Sequence, residues 1–278
     1  AWRGPTAVLP LDLSLHLFDA RERPSRQPEE APGLGRALDV DRRGGELVAA
    51  WERRTRPGPL RLAGGAYLGR VEAAAGPNAL AGTLDERSLF AEADWRPRWS
   101  RGVLSWGVDL AARGESAETG DLGWDRLRGE LGLGVGYRDS SLRASWTAGR
   151  IGGDAPAWHL FQLGGVSSSL LPETVESARL LVPALPLGTQ LGDELSAFRV
   201  DLDLDALPLP LFWGRYEVGS GLPGERALEL AGAELRLRLG PVPLVRLPAL
   251  DLTLGAAYVF DDPFADDLNA WIGLTWRP

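Results

Sequence analysis

Apolar residues in this chain recur at every second position over long stretches, and that period constrains the fold more than any other feature. Leu9, Leu11, Leu13, Leu15 and Leu17 alternate with Pro10, Asp12, Ser14, His16 and Phe18. A period of two puts alternate side chains on opposite faces of a β-strand. The pattern returns with Leu104, Trp106, Val108, Leu110 and Ala112 against Ser105, Gly107, Asp109, Ala111 and Arg113. Leu127, Leu131, Leu133, Val135 and Tyr137 repeat it against Arg126, Arg128, Glu130 and three glycines, Gly132, Gly134 and Gly136. Phe198, Val200 and Leu202 oppose Arg199, Asp201, Asp203 and Asp205, and Leu235, Leu237 and Leu239 oppose Glu234, Arg236 and Arg238. Two further copies, Leu250 to Phe260 and Ala270 to Trp276, approach the C-terminus.

Strands of a soluble sandwich average about 5 or 6 residues, whereas a tilted strand needs about 9 to 11 to cross a bilayer. These alternations reach that length, and Arg, Asp and Glu recur on their second face, as in a polar lumen. The expected fold is all-β: a transmembrane antiparallel up-and-down β-barrel, with residues 1–278 as one domain. Its lumen-lining candidates are Asp12, His16, Asp109, Arg126, Arg128, Glu130, Arg143, Arg199, Asp201, Asp203, Asp205, Glu234, Arg236 and Arg238. No stretch approaches the roughly 20 apolar residues of a membrane helix, and 35 Gly and 21 Pro disfavour long helices throughout.

Trp is abundant, with 11 copies, and indole prefers the membrane interface. Trp51, Trp95, Trp106, Trp146, Tyr258 and Trp276 are therefore the candidates for an aromatic girdle. A rule of short turns at one end and longer loops at the other gives about 14 strands, with 12 or 16 as alternatives. In that count 157–166 and 176–183 are wall strands, a hairpin turns near 97–100, and loops cover 74–86 and 114–123. A break in the alternation around Gly44 and Gly45 suggests a bulge.

Composition narrows the location. The chain has no Cys and no Met, so disulfides and thiolate metal sites are excluded. The missing initiator leads us to expect a processed, exported product whose secretory signal has been removed. A formal charge of −8 gives no basic footprint for nucleic acid.

Two local features resemble known outer-membrane families. Ala270-Trp-Ile-Gly-Leu-Thr-Trp276, followed by Arg277 and Pro278, looks like the terminal β-signal read by the barrel assembly machinery. Phe161-Gln-Leu-Gly-Gly165, with the long connection and strands after it, is similar to the C-terminal half of Omp85 barrels of the BamA/TamA surface-antigen type. In that family such a stretch leads into a loop that folds back into the lumen and carries an Arg-Gly-Tyr/Phe motif. This chain has Val166-Ser-Ser-Ser-Leu-Leu-Pro172 instead, and we expect no POTRA domains ahead of the barrel. The resemblance implies that 164–194 is one loop, which conflicts with a count of 14.

Chemistry is sparse. Two His exclude a His-rich metal site, and no cofactor or metal is expected. Ser14, His16 and Asp12 share one strand face, as an acyl-transfer enzyme would need, but polar residues filling a lumen explain the pattern as well and a non-enzyme is expected. His159, between Trp158 and Phe161, reads as a hydrogen-bonded structural histidine. The functional expectation is a porin-like channel for small polar solutes. The alternatives are a scaffold barrel that anchors a partner through loops such as 21–33 and 184–194, or an Omp85-like translocation or insertion barrel. Expected partners are outer-membrane lipid and lipopolysaccharide, and the assembly machinery during biogenesis.

Overall fold

The computed structural model describes residues 11–22, 40–73, 82–164, 177–182, 184–185, 190–207, 209–219, 227–239, 250–260 and 268–276. Long strands dominate it: β1 (Leu11–Glu22), β2 (Val40–Arg54), β3 (Pro59–Ala73), β4 (Gly82–Trp95), β5 (Arg98–Arg101), β6 (Leu104–Thr119), β7 (Leu122–Tyr137) and β8 (Ser140–Gly153). After a 3-10 turn at Ala157–His159 come three short strands, β9 (Phe161–Leu163), β10 (Arg179–Leu180) and β11 (Gln190–Gly192). The long strands then resume as β12 (Glu194–Asp203), β13 (Leu211–Gly219), β14 (Leu228–Leu239), β15 (Leu250–Phe260) and β16 (Leu268–Trp276).

The long strands form one antiparallel up-and-down sheet of thirteen assigned strands, running from β1 to β16. β5 is the continuation of β4: Trp95 faces Leu110 and Arg98 faces Gly107, which is one register across β6. Pro97 lacks the N–H that a ladder needs and interrupts the strand there. The reversal that sequence spacing puts near 97–100 therefore falls at Gly102, whose φ of +61° favours glycine. Counting β4 and β5 together, the path holds twelve strands among the described residues, the lower of the expected alternatives.

The two strands missing from a count of 14 are 157–166 and 176–183. They belong to a separate small sheet, ordered β10-β9-β11, because β8 pairs directly with β12 from Glu194–Arg150 to Asp203–Ser141. Everything between Asp154 and Asp193 is one connection, as the family resemblance implies.

Alternation divides the wall into two faces. Leu15, Leu17, Leu47, Leu68, Leu89, Leu127, Leu133, Leu142, Phe198, Leu268 and Ile272 are large, apolar and exposed on one side. Facing the other way are Arg42, Glu46, Tyr67, Glu86, Phe90, Arg113, Glu115, Arg126, Tyr216 and Leu230, all buried. Residues from β2 and β3 (Val40, Val71) pack on Trp158, and residues from β12 to β15 (Leu195, Phe212, Leu230, Val259) cluster with Phe161 and Leu163. A sheet whose distant strands enclose the same short connection is curled around it, which makes the buried face the inside of a barrel.

Trp106, Trp146 and Tyr258 lie exposed on the outer face, and alternation puts Trp51 and Trp95 there too. The Trp276 side chain falls outside the described residues. Trp124 and Trp158 are buried inside. Charged residues also stand on the outer face where strands approach the longer loops, in cross-strand ion pairs such as Arg70–Asp85 and Arg87–Glu118. The two expected loops 74–86 and 114–123 are strand in part: β4 starts at Gly82, with 74–81 outside the described residues, and β6 runs to Thr119 before a turn at Gly120 and Asp121. β2 and β3 stay in register through Gly44 and Gly45, without a bulge.

Candidate functional site

The inner face and the connection that fills it are the most elaborate part of the molecule. At the start of the connection, Pro156 leads into a 3-10 turn that directs Trp158 and His159 toward β4. Both meet Glu86: Trp158 Nε1 donates at 3.0 Å and His159 Nε2 lies 2.7 Å from the same oxygen, Oε1. The other carboxylate oxygen takes Arg42 Nη1 at 2.9 Å and the Tyr67 hydroxyl at 3.0 Å, and Thr119 Oγ1 donates to Oε1 at 3.4 Å. Side chains of Arg42 and Glu86 are 0% and 2% exposed, so this is an ion pair withdrawn from water. Such a pair holds only where further hydrogen bonds satisfy it, and here β2, β3, β6 and the connection supply them.

Burial pushes the His159 imidazole below its usual range, against the opposing pull of Glu86. An ionised carboxylate can only accept, so Nε2–H is the donor to Glu86. Trp124 flanks the ring at 4.5 Å between centroids, and Arg126 Nη1 donates to the His159 carbonyl at 3.3 Å.

Further along the connection, Arg126 pairs with Glu115 at 2.5 Å and also donates to Ser177 Oγ at 2.8 Å. Arg128 donates to the carbonyls of Ser177 and Arg179, at 2.9 and 3.0 Å. Opposite this polar flank the connection is apolar. Phe161, Leu163, Leu180, Val182 and Leu185 join one cluster with Leu195, Phe212, Tyr216, Val218, Leu228, Leu230, Ala257 and Val259. Phe161 can seat because β8 has no side chain at Gly149: a Cβ there would lie 2.5 Å from Phe161 Cζ. Gly132 likewise leaves room for Asp109 and Arg143, which a Cβ would meet at 3.1 and 3.6 Å.

The expected lumen residues fall into separate groups. Asp109 pairs with Arg98 and, at 3.2 Å, with Arg143, while Glu130 lies 3.8 Å from Arg143. Arg199 closes on Asp201 two residues along its own strand, at 2.6 Å, instead of reaching across the lumen. Glu234 is buried on β14. Asp205 is in the turn after β12, where its N–H donates to Ser140 Oγ, so it lines no lumen. Arg236 and Arg238 have side chains outside the described residues.

Ser14 and His16 share the inward face of β1, and among the described residues no hydrogen bond joins them to each other or to Asp12. Part of 184–194, expected as a surface contact, is internal: Ala184 and Leu185 are buried and β11 pairs with β9. Most of 21–33 lies outside the described residues. No group of three metal-ligating side chains occurs among the described residues. Glu86 and Arg42, the centre of the anchoring cluster, were not singled out by sequence reasoning.

Between the connection and the short-turn end a cavity of about 350 Å³ remains, lined by Arg61, Glu92, Arg113, Arg128, Glu130 and Ser177 among others. Arg61 and Arg113 share Glu92, at 2.6 and 3.2 Å.

No family model matches the chain, and no curated protein does. Among solved structures it is similar to CdiB from Acinetobacter baumannii, with 14% identity and a TM-score of 0.43 over 95% of this chain. The alignment covers 53% of that protein, so the chain spans about half its length.

Proposed function

We propose that the chain is an outer-membrane barrel whose resting lumen is closed by its own connection, and that it works as a gated conduit of the Omp85 translocation kind. One observation carries this reading. The segment between β8 and β12 is packed inside the wall, tied to Glu86, Arg126 and Arg128 and buried against β12 to β15. A porin for small solutes works through a standing aqueous path, and this one is obstructed by the chain itself. The exposed leucines on the outer face support a lipid environment, since soluble proteins rarely expose so large an apolar surface. Short turns would then face the periplasm and the longer loops the exterior.

The test follows from the β8–β12 ladder. Arg150 already faces Glu194, so residues 154–193 can be replaced by a short hairpin linker without breaking a wall pair. In planar bilayers the intact chain is expected to show rare openings and the shortened chain a standing conductance. A closed lumen also favours a scaffold that anchors a partner. That reading prevails if the shortened barrel folds and still conducts nothing.

A further inference from the structure

We propose that the cavity on the short-turn side of the connection is a binding site for a carboxylate carried on an extended chain, and that this carboxylate competes with the connection for Arg128. The proposal rests on the gated-conduit reading and names what would open it.

Three guanidinium groups line the cavity. Two of them, Arg61 and Arg113, already share the carboxylate of Glu92. Glu130, also on the lining, faces Arg143. Arg128 differs from the others: its hydrogen bonds run to the carbonyls of Ser177 and Arg179, and among the described residues it forms no ion pair. The bonds to the carbonyls already have one ionised partner, but a carboxylate brings the full opposite charge and takes the planar guanidinium through two parallel bonds. A carboxylate that enters the cavity thus gains more from Arg128 than the two carbonyls do.

Those carbonyls belong to the part of the connection that holds its small sheet together. Gln162 N–H donates to Ala178 O at 3.0 Å, and Arg179 and Leu180 pair with Gln162 and Leu163. When Arg128 turns from Ser177 and Arg179 to an incoming anion, both of its bonds to the connection are lost and, at this point, that of Arg126 to Ser177 Oγ remains, while the anion occupies the cavity below. Occupancy and loosening of the connection are then one event. Glu92 also sets the preference for a carboxylate over phosphate: the walls already accommodate one monoanion between two arginines, and a dianion would meet stronger repulsion from Glu92 and Glu130.

The experiment uses the full chain in planar bilayers with three probes added on the short-turn side: N-acetyl-Ala-Asp-Ala-amide, its Asn counterpart, and inorganic phosphate. The Asp peptide is expected to raise the opening frequency about tenfold, within the usual range of coupling between sites, and the Asn peptide to leave it unchanged. Arg128→Gln is expected to abolish the response. Equal responses to the Asp and Asn peptides, or an undiminished response in Arg128→Gln, overturn the proposal. Phosphate acting as strongly as the Asp peptide overturns the assignment to a carboxylate. If Arg128→Gln does not fold, the comparison of the two peptides on the unaltered chain still decides. A silent Asp peptide on a barrel whose shortened form conducts refutes this inference alone, whereas a shortened form that does not conduct refutes the gated-conduit reading beneath it.

Discussion

The two flanks of the barrel grip the same connection by different physics. On the β2 to β7 side directional contacts are added to the packing of Val40 and Val71 on Trp158: Glu86 receives donors from Arg42, Tyr67, Thr119, Trp158 and His159, and Arg126 and Arg128 hold Ser177 and Arg179. On the β12 to β15 side the contacts are apolar, with Phe161 and Leu163 fully buried among aliphatic and aromatic side chains. Directional bonds fix where the connection sits and are lost abruptly. Apolar area holds it loosely in register, and its loss is gradual. A closure that must be both firm and releasable gains from having one flank of each kind.

The largest effect is expected on the directional flank. Glu86→Ala removes a buried carboxylate from the Arg42 guanidinium and from four further donors and should destabilise the barrel by about 4 kcal/mol, read from denaturant unfolding in detergent. Phe161→Ala on the apolar flank should cost about 3 kcal/mol in the same assay, as transfer and cavity terms combine. The double variant sharpens the comparison. If the flanks act independently, the two losses add to within about 0.5 kcal/mol, and a larger departure would show that they are one unit.

Gly149→Ala comes next. It leaves both flanks chemically intact but drives a methyl toward the Phe161 ring, and an overpacked site of this kind costs about 1–3 kcal/mol. Its signature is a more frequent opening of the channel with little change in wall stability.

Acid is expected to produce the smallest effect. His159 is held below its ordinary range, while a displaced connection exposes an imidazole that titrates near 6.5. The displaced state therefore binds the extra proton, and docking is weakened as pH falls below about 6.5, by at most about tenfold per pH unit. Glu86 from β4, Arg42 from β2, Tyr67 from β3 and Arg126 from β7 surround the ring or its Glu86 partner. His159→Gln keeps a donor for Glu86 and should flatten the opening frequency between pH 7.5 and pH 5.5. A profile that keeps its slope would assign the titration to another group.

Much of the wall is legible in the sequence, because a strand with lipid on one side and a lumen on the other must alternate. Leu131, Leu133, Val135 and Tyr137 lie outward and Arg126, Arg128 and Glu130 inward as the pattern requires. Strand ends near the longer loops are hidden for a physical reason. Asp85, Arg87, Gly114, Ser116 and Glu118 face outward there, so charge or small size occupies both faces and the apolar signal fades. Glu86 was lost with them, since the stretch that carries it reads as a loop. Phe161 to Leu163 and Arg179 to Leu180 mislead in the opposite direction. They are short, apolar-rich and extended, which is the signature of a wall strand, and only their pairing with each other puts them inside. His159 was legible as a hydrogen-bonded histidine, but its partner, 73 residues away, was not.

Ile151 N–H donates to the Asp193 carbonyl at 2.7 Å, immediately beyond the Arg150–Glu194 pair. Both ends of the connection therefore leave the wall side by side, between two staves already joined. It is spliced in as a pendant, like a stopper on a short cord. Withdrawing it unthreads no wall strand and leaves the β8–β12 ladder in place. A single proteolytic nick along it would leave two fragments still joined through the β8–β12 ladder.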